Sequence, residues 1–323
     1  MNRDDVSWKG YWVAAPTPFT STGVLDEQAW REVLRLYHLQ GVHGVLVNGT
    51  TGEWFSQTVA ERRRVAEIAM EELRNKIPVV IGCTTYTAAQ TSELGRHAKE
   101  IGADGMLSTP PPYAAPTGRE IVAFFKEISD RVDLPIMVYN WARGVVVEIT
   151  ADIAVELAKI DRVVAIKDST SNQAQALHTL ERVSDKVRVF GGFINRVGLA
   201  VLPSLGGDGN IDGGGIGAPF AVAFYETFWR GELRAAQEAA DRYVALMSRL
   251  INPDWSGVFG SPQAQIKACM GLLGQPGGYP RPPLLPVDAP ESLASLTEIL
   301  TSAGLLANAR AGGSIRQGES RAP

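Results

Sequence analysis

Residues 135–170 read PIMVYNWARGVVVEITADIAVELAKIDRVVAIKDST, and this stretch decides the fold. A short apolar run, Pro135–Tyr139, leads into a segment of helical period, Ala151–Ile160, and then into a second apolar run, Val163–Lys167. Neither run alternates apolar with polar residues, so each suits a strand buried on both faces. Strands of that kind, separated by amphipathic helices, build a parallel sheet.

The same alternation extends in both directions. Strand candidates precede it at Tyr11–Ala15, Gly44–Val47, Pro78–Gly82 and Gly105–Leu107, and follow it at Arg188–Phe190 and Gly209–Asp212. Segments with apolar residues every three or four positions lie between them, at Asp26–Leu39, Thr58–Arg74, Ala88–Ile101, Arg119–Ser129 and Asn172–Val183. Eight such units predict an α/β protein of the (β/α)8 TIM-barrel type. An open doubly wound sheet is the alternative, but no strand candidate runs into a glycine-rich dinucleotide fingerprint. Beyond Gly231 the strands stop, and Glu232–Leu250, Pro262–Leu273 and Ser292–Leu305 read as helices between Pro- and Gly-rich breaks. The expected organisation is a barrel over 1–231, a helical region packed on it over 232–306, and a polar, disordered tail over 307–323.

Composition narrows the function. The chain has 323 residues, close to a barrel's roughly 250 plus an appendage. Its formal net charge of −4 offers no basic excess for nucleic acid. No apolar stretch approaches the ~20 residues of a membrane span, and the N-terminus lacks a signal-peptide h-region. Cys83 and Cys269 lie far apart, without metal or redox spacing, which fits a reducing cytoplasm. The four histidines form no metal-binding group, so no metal is expected in the chemistry; no cofactor is expected either.

In a barrel, chemistry gathers at the C-terminal ends of the strands. Lys167 closes the run VVAIKDST. Burial disfavours its ammonium and frees the amine to attack a carbonyl carbon, whereas a structural pairing with Asp168 is the plain alternative. Tyr139 closes the neighbouring run and could relay protons, or simply pack. Gly49–Glu53, GTTGE, offers two hydroxyls and backbone N–H groups suited to a carboxylate, or is merely a tight loop.

GTTGE after the second strand, YN after the fifth and IKD on the sixth, in that order, resemble the signature of the dihydrodipicolinate synthase and N-acetylneuraminate lyase superfamily of class I aldolases. The resemblance spans roughly residues 8 to 305. It implies that Lys167 forms a Schiff base with pyruvate or a related 2-oxo acid. It further implies that Tyr139 relays protons, that Thr50 links Tyr139 to a second tyrosine, and that Thr51 and the backbone of the turn, Gly49 and Gly52 included, hold the carboxylate. The second tyrosine often comes from a neighbouring subunit, and Tyr113 in TPPPYAAPT stands at the matching position, so a homo-oligomer, a dimer or tetramer, is expected.

Departures from the pattern bear on the substrate. Lysine-pathway synthases resemble YNxPxRTG after the fifth strand, where this chain reads YNWARGVVVE. Gly144 takes the place of the carboxylate-gripping arginine and Arg143 falls one residue early, able to reach a distal carboxylate or to form a surface ion pair. That argues against dihydrodipicolinate synthesis itself. Trp54 and Phe55 extend the turn to GTTGEWFS, similar to a run in sugar-acid dehydratases. Asp212, closing the eighth strand candidate, could contact substrate hydroxyls or cap a loop, and Gly191 and Gly192 would leave their carbonyls free toward the substrate. The leading expectation is a pyruvate-linked lyase making or breaking a C–C bond. The rivals are a dehydratase of a 2-keto-3-deoxy sugar acid and a non-catalytic 2-oxo acid binding protein.

Overall fold

The computed structural model describes residues 1–306; the proposed polar tail, 307–323, lies outside the described residues. Eight parallel strands close into a barrel in chain order: β1 (Gly10–Ala14), β2 (Gly44–Val47), β3 (Val79–Gly82), β4 (Gly105–Ser108), β5 (Ile136–Asn140), β6 (Val163–Asp168), β7 (Arg188–Phe190) and β8 (Gly209–Gly213). β1 pairs with β8, which completes the ring expected from the βα alternation.

Helices follow the strands: α1 (Glu27–Leu39), α2 (Val59–Leu73), α3 (Ala88–Glu100), α4 (Gly118–Arg131), the single turn α5 (Ala142–Val145), α6 (Ala151–Leu157), α7 (Gln173–Val183), α8 (Arg196–Leu205) and α9 (Ala218–Trp229). Many start at a side-chain cap that satisfies a free backbone N–H. Asp26 accepts from Ala29, Thr58 and Glu61 form a reciprocal capping box on α2, and Asn172 accepts from Gln175. Beyond the barrel come α10 (Leu233–Met247), α11 (Pro262–Leu272) and α12 (Pro290–Ser302). α10 packs on α8 and α9, and α11 touches β8 and α12, so these helices roof one side of the barrel mouth.

Strand side chains divide between two apolar layers. Val13, Val45, Val79, Ile136 and Val189 point outward to the helices. Trp12, Leu46, Val80, Met137 and Phe190 point inward. The interior is plugged by Trp8, Trp12 and Phe190, edge to face at 5.7 and 5.3 Å between ring centroids. Two glycines make room for the indoles: a Cβ on Gly44 would lie 2.3 Å from Trp12, and one on Gly105 would lie 2.5 Å from Trp8. Above this plug the barrel opens into a cavity.

One irregularity positions the site. β5 and β6 pair Ile136 with Val163 but Met137 with Ala165, so Val164 is an extra residue in β6. A bulge of this kind reverses the facing of every later residue on its strand. As a result Tyr139 pairs with Lys167 and Asn140 with Asp168. Without it, Lys167 would share a face with Asn140.

Candidate active site

Lys167 is buried, 7% exposed, at the floor of a cavity of about 380 Å³ on the C-terminal side of the barrel. Its register partners are Tyr139 on one side and Phe190 on the other, so two aromatic rings keep water from the ammonium. Burial pushes the amine's pKa down to about 8, against an opposing pull from Asp212. That shift disfavours the charged form by roughly 3 kcal/mol and leaves about a tenth of the amine neutral at pH 7, roughly 300-fold more than in a solvated lysine. No ion pair joins Lys167 to Asp168 among the described residues. Asp168 instead accepts from the Asn140 side chain at 2.9 Å and the Thr170 backbone at 3.1 Å, and burial raises its pKa to about 6.

Tyr139 carries Lys167 Nζ over its ring, 4.1 Å from the centroid. The hydroxyls of Ser169 and Thr50 moderate the upward shift that burial gives its pKa. Ser169 was absent from the sequence-based candidates; its only signal was its place two residues after Lys167. The GTTGE turn brings Thr50 and Thr51 to the cavity wall. Gly49 and Gly52 are not on that wall. Gly49 sits against Leu46, and a Cβ on Gly52 would stand 3.0 Å from the Ala15 carbonyl oxygen, so these glycines shape the turn from behind.

Glu53, the last residue of the turn, adopts a left-handed backbone with φ of 58° and is fully buried. It meets Lys267 of α11 at 2.5 Å and accepts from the Arg281 backbone at 2.9 Å. Lys267 also donates to the carbonyls of Thr17 and Tyr279. This network staples the turn to α11 and to the proline-rich segment after it. Neither Lys267 nor Arg281 carried a sequence signal, because the pairing spans more than 200 positions.

Other expected residues are placed differently. Arg143 reaches the cavity, but its guanidinium donates to the Asp254 carboxylate at 2.6 Å and to the Asp254 carbonyl at 3.0 Å. Asp212 lines the cavity and accepts from the Tyr243 hydroxyl of α10, and burial raises its pKa. Gly191 and Gly192 line the cavity, and each carbonyl accepts one bond within the chain, Gly191 from Phe193 N at 3.1 Å and Gly192 from the Asn195 side chain at 2.7 Å. Trp54 and Phe55 stay off the cavity wall; Trp54 lies under the Arg62 guanidinium and Phe55 is exposed. Tyr113 is 92% exposed, in the loop after β4, with φ of 71°, and does not line the cavity.

Cys269 also borders the cavity, but burial pushes its thiol up to about 12, which withholds the thiolate at neutral pH. Among the described residues no group of three or more His, Cys, Asp or Glu side chains could hold a metal ion. None of the described helices is long and apolar enough to cross a membrane.

A closed (β/α)8 barrel with helices over its C-terminal mouth and a desolvated lysine at its floor has the build of a barrel lyase. The chain belongs to the dihydrodipicolinate synthetase family, whose profile matches residues 7–303, and it is an enzyme of the lyase class. Similar proteins include an uncharacterised DapA-like lyase of Rhizobium meliloti, 34% identical over 87% of this chain and 91% of its own length. A 4-hydroxy-tetrahydrodipicolinate synthase of Parvibaculum lavamentivorans is 33% identical over 93% of this chain and 99% of its own. The crystal structure of dihydrodipicolinate synthase from Thermotoga maritima superposes with a TM-score of 0.84 at 28% identity, covering 93% of this chain and 100% of that one.

Proposed function

We propose that Lys167 forms a Schiff base with the keto carbon of pyruvate or a related 2-oxo acid, and that the enzyme uses the resulting enamine to make or break a C–C bond at C3. The observation that carries this reading is the pairing of a buried amine, with a pKa of about 8, and a tyrosine ring at 4.1 Å, with Thr50 on the same cavity wall.

The neutral amine adds to C2, and the carbinolamine loses its oxygen as water once protonated. The cationic imine nitrogen then draws electrons, so a C3 proton leaves and an enamine forms. Tyr139 supplies and accepts these protons through the Thr50 and Ser169 hydroxyls. Thr50, Thr51 and the N–H groups of their turn hold the carboxylate, with the Glu53–Lys267 staple keeping the turn in place. From the enamine, attack on an aldehyde carbon completes an aldol condensation, and the reverse completes cleavage.

Carbon–carbon chemistry is favoured over dehydration because Trp54 and Phe55, the residues similar to the dehydratase run, do not border the cavity. Tyr113, exposed in this chain, belongs to the site of a second copy, which makes the working unit a homo-oligomer. The test is reductive trapping. Incubation with pyruvate and borohydride should add the mass of reduced pyruvate to the peptide holding Lys167. An adduct that persists in Lys167→Ala overturns the assignment.

A further inference from the structure

Arg62, on the first turn of α2, is 4% exposed and forms no ion pair among the described residues. Its guanidinium donates to two backbone carbonyls, Thr84 O at 3.0 Å and Gly82 O at 2.9 Å, and its Nε has no partner. Burial lowers its pKa, and no carboxylate opposes that shift. The acidic side chains on either side of it in the chain are taken, Glu61 by Arg281 and Glu53 by Lys267. Buried charges are normally paired, because desolvation is costly and neutral carbonyls repay only part of it. The counter-charge of Arg62 has to come from outside the chain.

Its position supplies one, because Arg62 ties down both ends of the GTTGE turn. Before the turn, Asn48 donates its side-chain amide to Arg62 O at 2.8 Å and holds a left-handed backbone, φ 54°. After the turn, the Trp54 ring lies with its centroid 5.2 Å from the guanidinium carbon. Gly82, whose carbonyl takes the guanidinium, packs so closely on Asn48 that a Cβ there would stand 2.2 Å from Asn48 O. The turn then folds back on the same residue, since a Cβ on Gly52 would lie 3.3 Å from Asn48 N. Guanidinium, Asn48 and turn are thus contiguous, and Thr50 and Thr51 form the face that reaches the cavity wall.

We infer that Arg62 is a positioning residue whose buried positive charge, standing behind the GTTGE turn, favours a substrate with a carboxylate next to its keto carbon. This rests on the Schiff-base reading above. Thr50 and Thr51 touch the carboxylate, whereas Arg62 acts through the turn, by fixing its two ends and by a field that little water screens. Two unit charges roughly 10 Å apart, at the effective dielectric of a partly buried site, change a binding equilibrium by about 10-fold.

The experiment compares second-order rates of borohydride trapping on Lys167 for pyruvate and for methyl pyruvate, which offers the same keto carbon without the charge. The ratio of the two rates should fall about 10-fold in Arg62→Gln, which keeps an N–H donor for the carbonyls and loses the charge. Arg62→Lys keeps the charge and should hold the ratio within about 2-fold of the parent. Trp54→Glu, at a half-buried position, sets a carboxylate against the guanidinium and should lower the ratio as Arg62→Gln does. The pH at which trapping levels off should stay near about 8 in all three. An unchanged ratio in Arg62→Gln overturns the inference, because a purely structural role slows both ketones alike, and so does an equal fall in Arg62→Lys. Should Arg62→Gln fail to fold, an unchanged ratio in Trp54→Glu overturns it instead. Failure of pyruvate to trap on Lys167 in the parent enzyme sinks the Schiff-base reading on which the inference stands.

Discussion

Tyr139 and Lys167 are register partners on β5 and β6, and the lysine nitrogen lies 4.1 Å from the centroid of the tyrosine ring. The relationship depends on Val164, the extra residue of β6, which turns Lys167 from the helix side to the barrel interior. The same reversal sends Asp168 to the Asn140 side, where it takes two hydrogen bonds and leaves the amine unpaired by it. The proposed nucleophile and proton carrier thereby sit on rigid strands, with their separation fixed by backbone pairing rather than by a loop.

The amine of Lys167 reacts only when neutral, and burial lowers its pKa from 10.5 to about 8. The rate of pyruvate trapping should rise with pH and level off above about 8, whereas a solvated lysine would keep gaining to about 10.4. The shift also has a stability sign. Between those two pKa values the unfolded chain holds the proton and the folded chain does not, so this group's contribution to stability increases as pH rises through that window. A trapping profile still climbing at pH 10 would show that the amine is not desolvated.

Tyr139→Phe removes the hydroxyl and keeps the ring that shields Lys167. Turnover should fall by about 100-fold, the usual scale for a lost general acid–base group. Stability should change by only about 1 kcal/mol, one hydrogen-bonding group. The pH at which trapping levels off should stay near 8, since desolvation by the ring is intact. Wild-type turnover in this variant would assign the proton transfers to another group.

Much of this arrangement was legible in the chain. The eight apolar runs match the eight strands to within a residue or two, because strands covered by helices outside and packed side chains inside leave an uninterrupted apolar signature. Lys167, Tyr139, Thr50 and Thr51 do gather at one cavity, since each closes or follows such a run. The bulge at Val164 left no trace, as one more valine in VVAIKD does not alter an apolar run. The ties of Arg143 to Asp254 and of Glu53 to Lys267 were equally hidden. They join segments more than 100 positions apart, and neither partner's local context marks it as paired.

The Glu53–Lys267 pair can be tested through stability. Both side chains are almost wholly out of solvent, so Lys267→Met leaves a buried carboxylate with only the Arg281 backbone as a donor. That variant should lose about 3–5 kcal/mol, and adding Glu53→Gln should recover part of it by removing the stranded charge. Thermal melting of the two single variants and the double reads this directly. Because Thr50 and Thr51 sit on the same turn, KM for pyruvate should rise in Lys267→Met. A single variant that melts like the parent would mean the pair does not hold the turn.

Tyr113 makes a prediction about assembly. It is exposed and held at a φ of 71°, a conformation that costs a tyrosine of order 1 kcal/mol or more. A role in a second copy's proton relay accounts for both facts and is open to complementation. Tyr113→Phe should lower turnover, and Lys167→Ala should abolish it. Yet a hybrid of the two contains one site with an intact lysine and a tyrosine donated by the partner. Equal mixing with free exchange of subunits in a dimer gives hybrids in half the molecules, so about a quarter of wild-type activity should return. Turnover no greater than that of the diluted Tyr113→Phe enzyme, with hybrids present by native mass spectrometry, would place Tyr113 outside the chemistry.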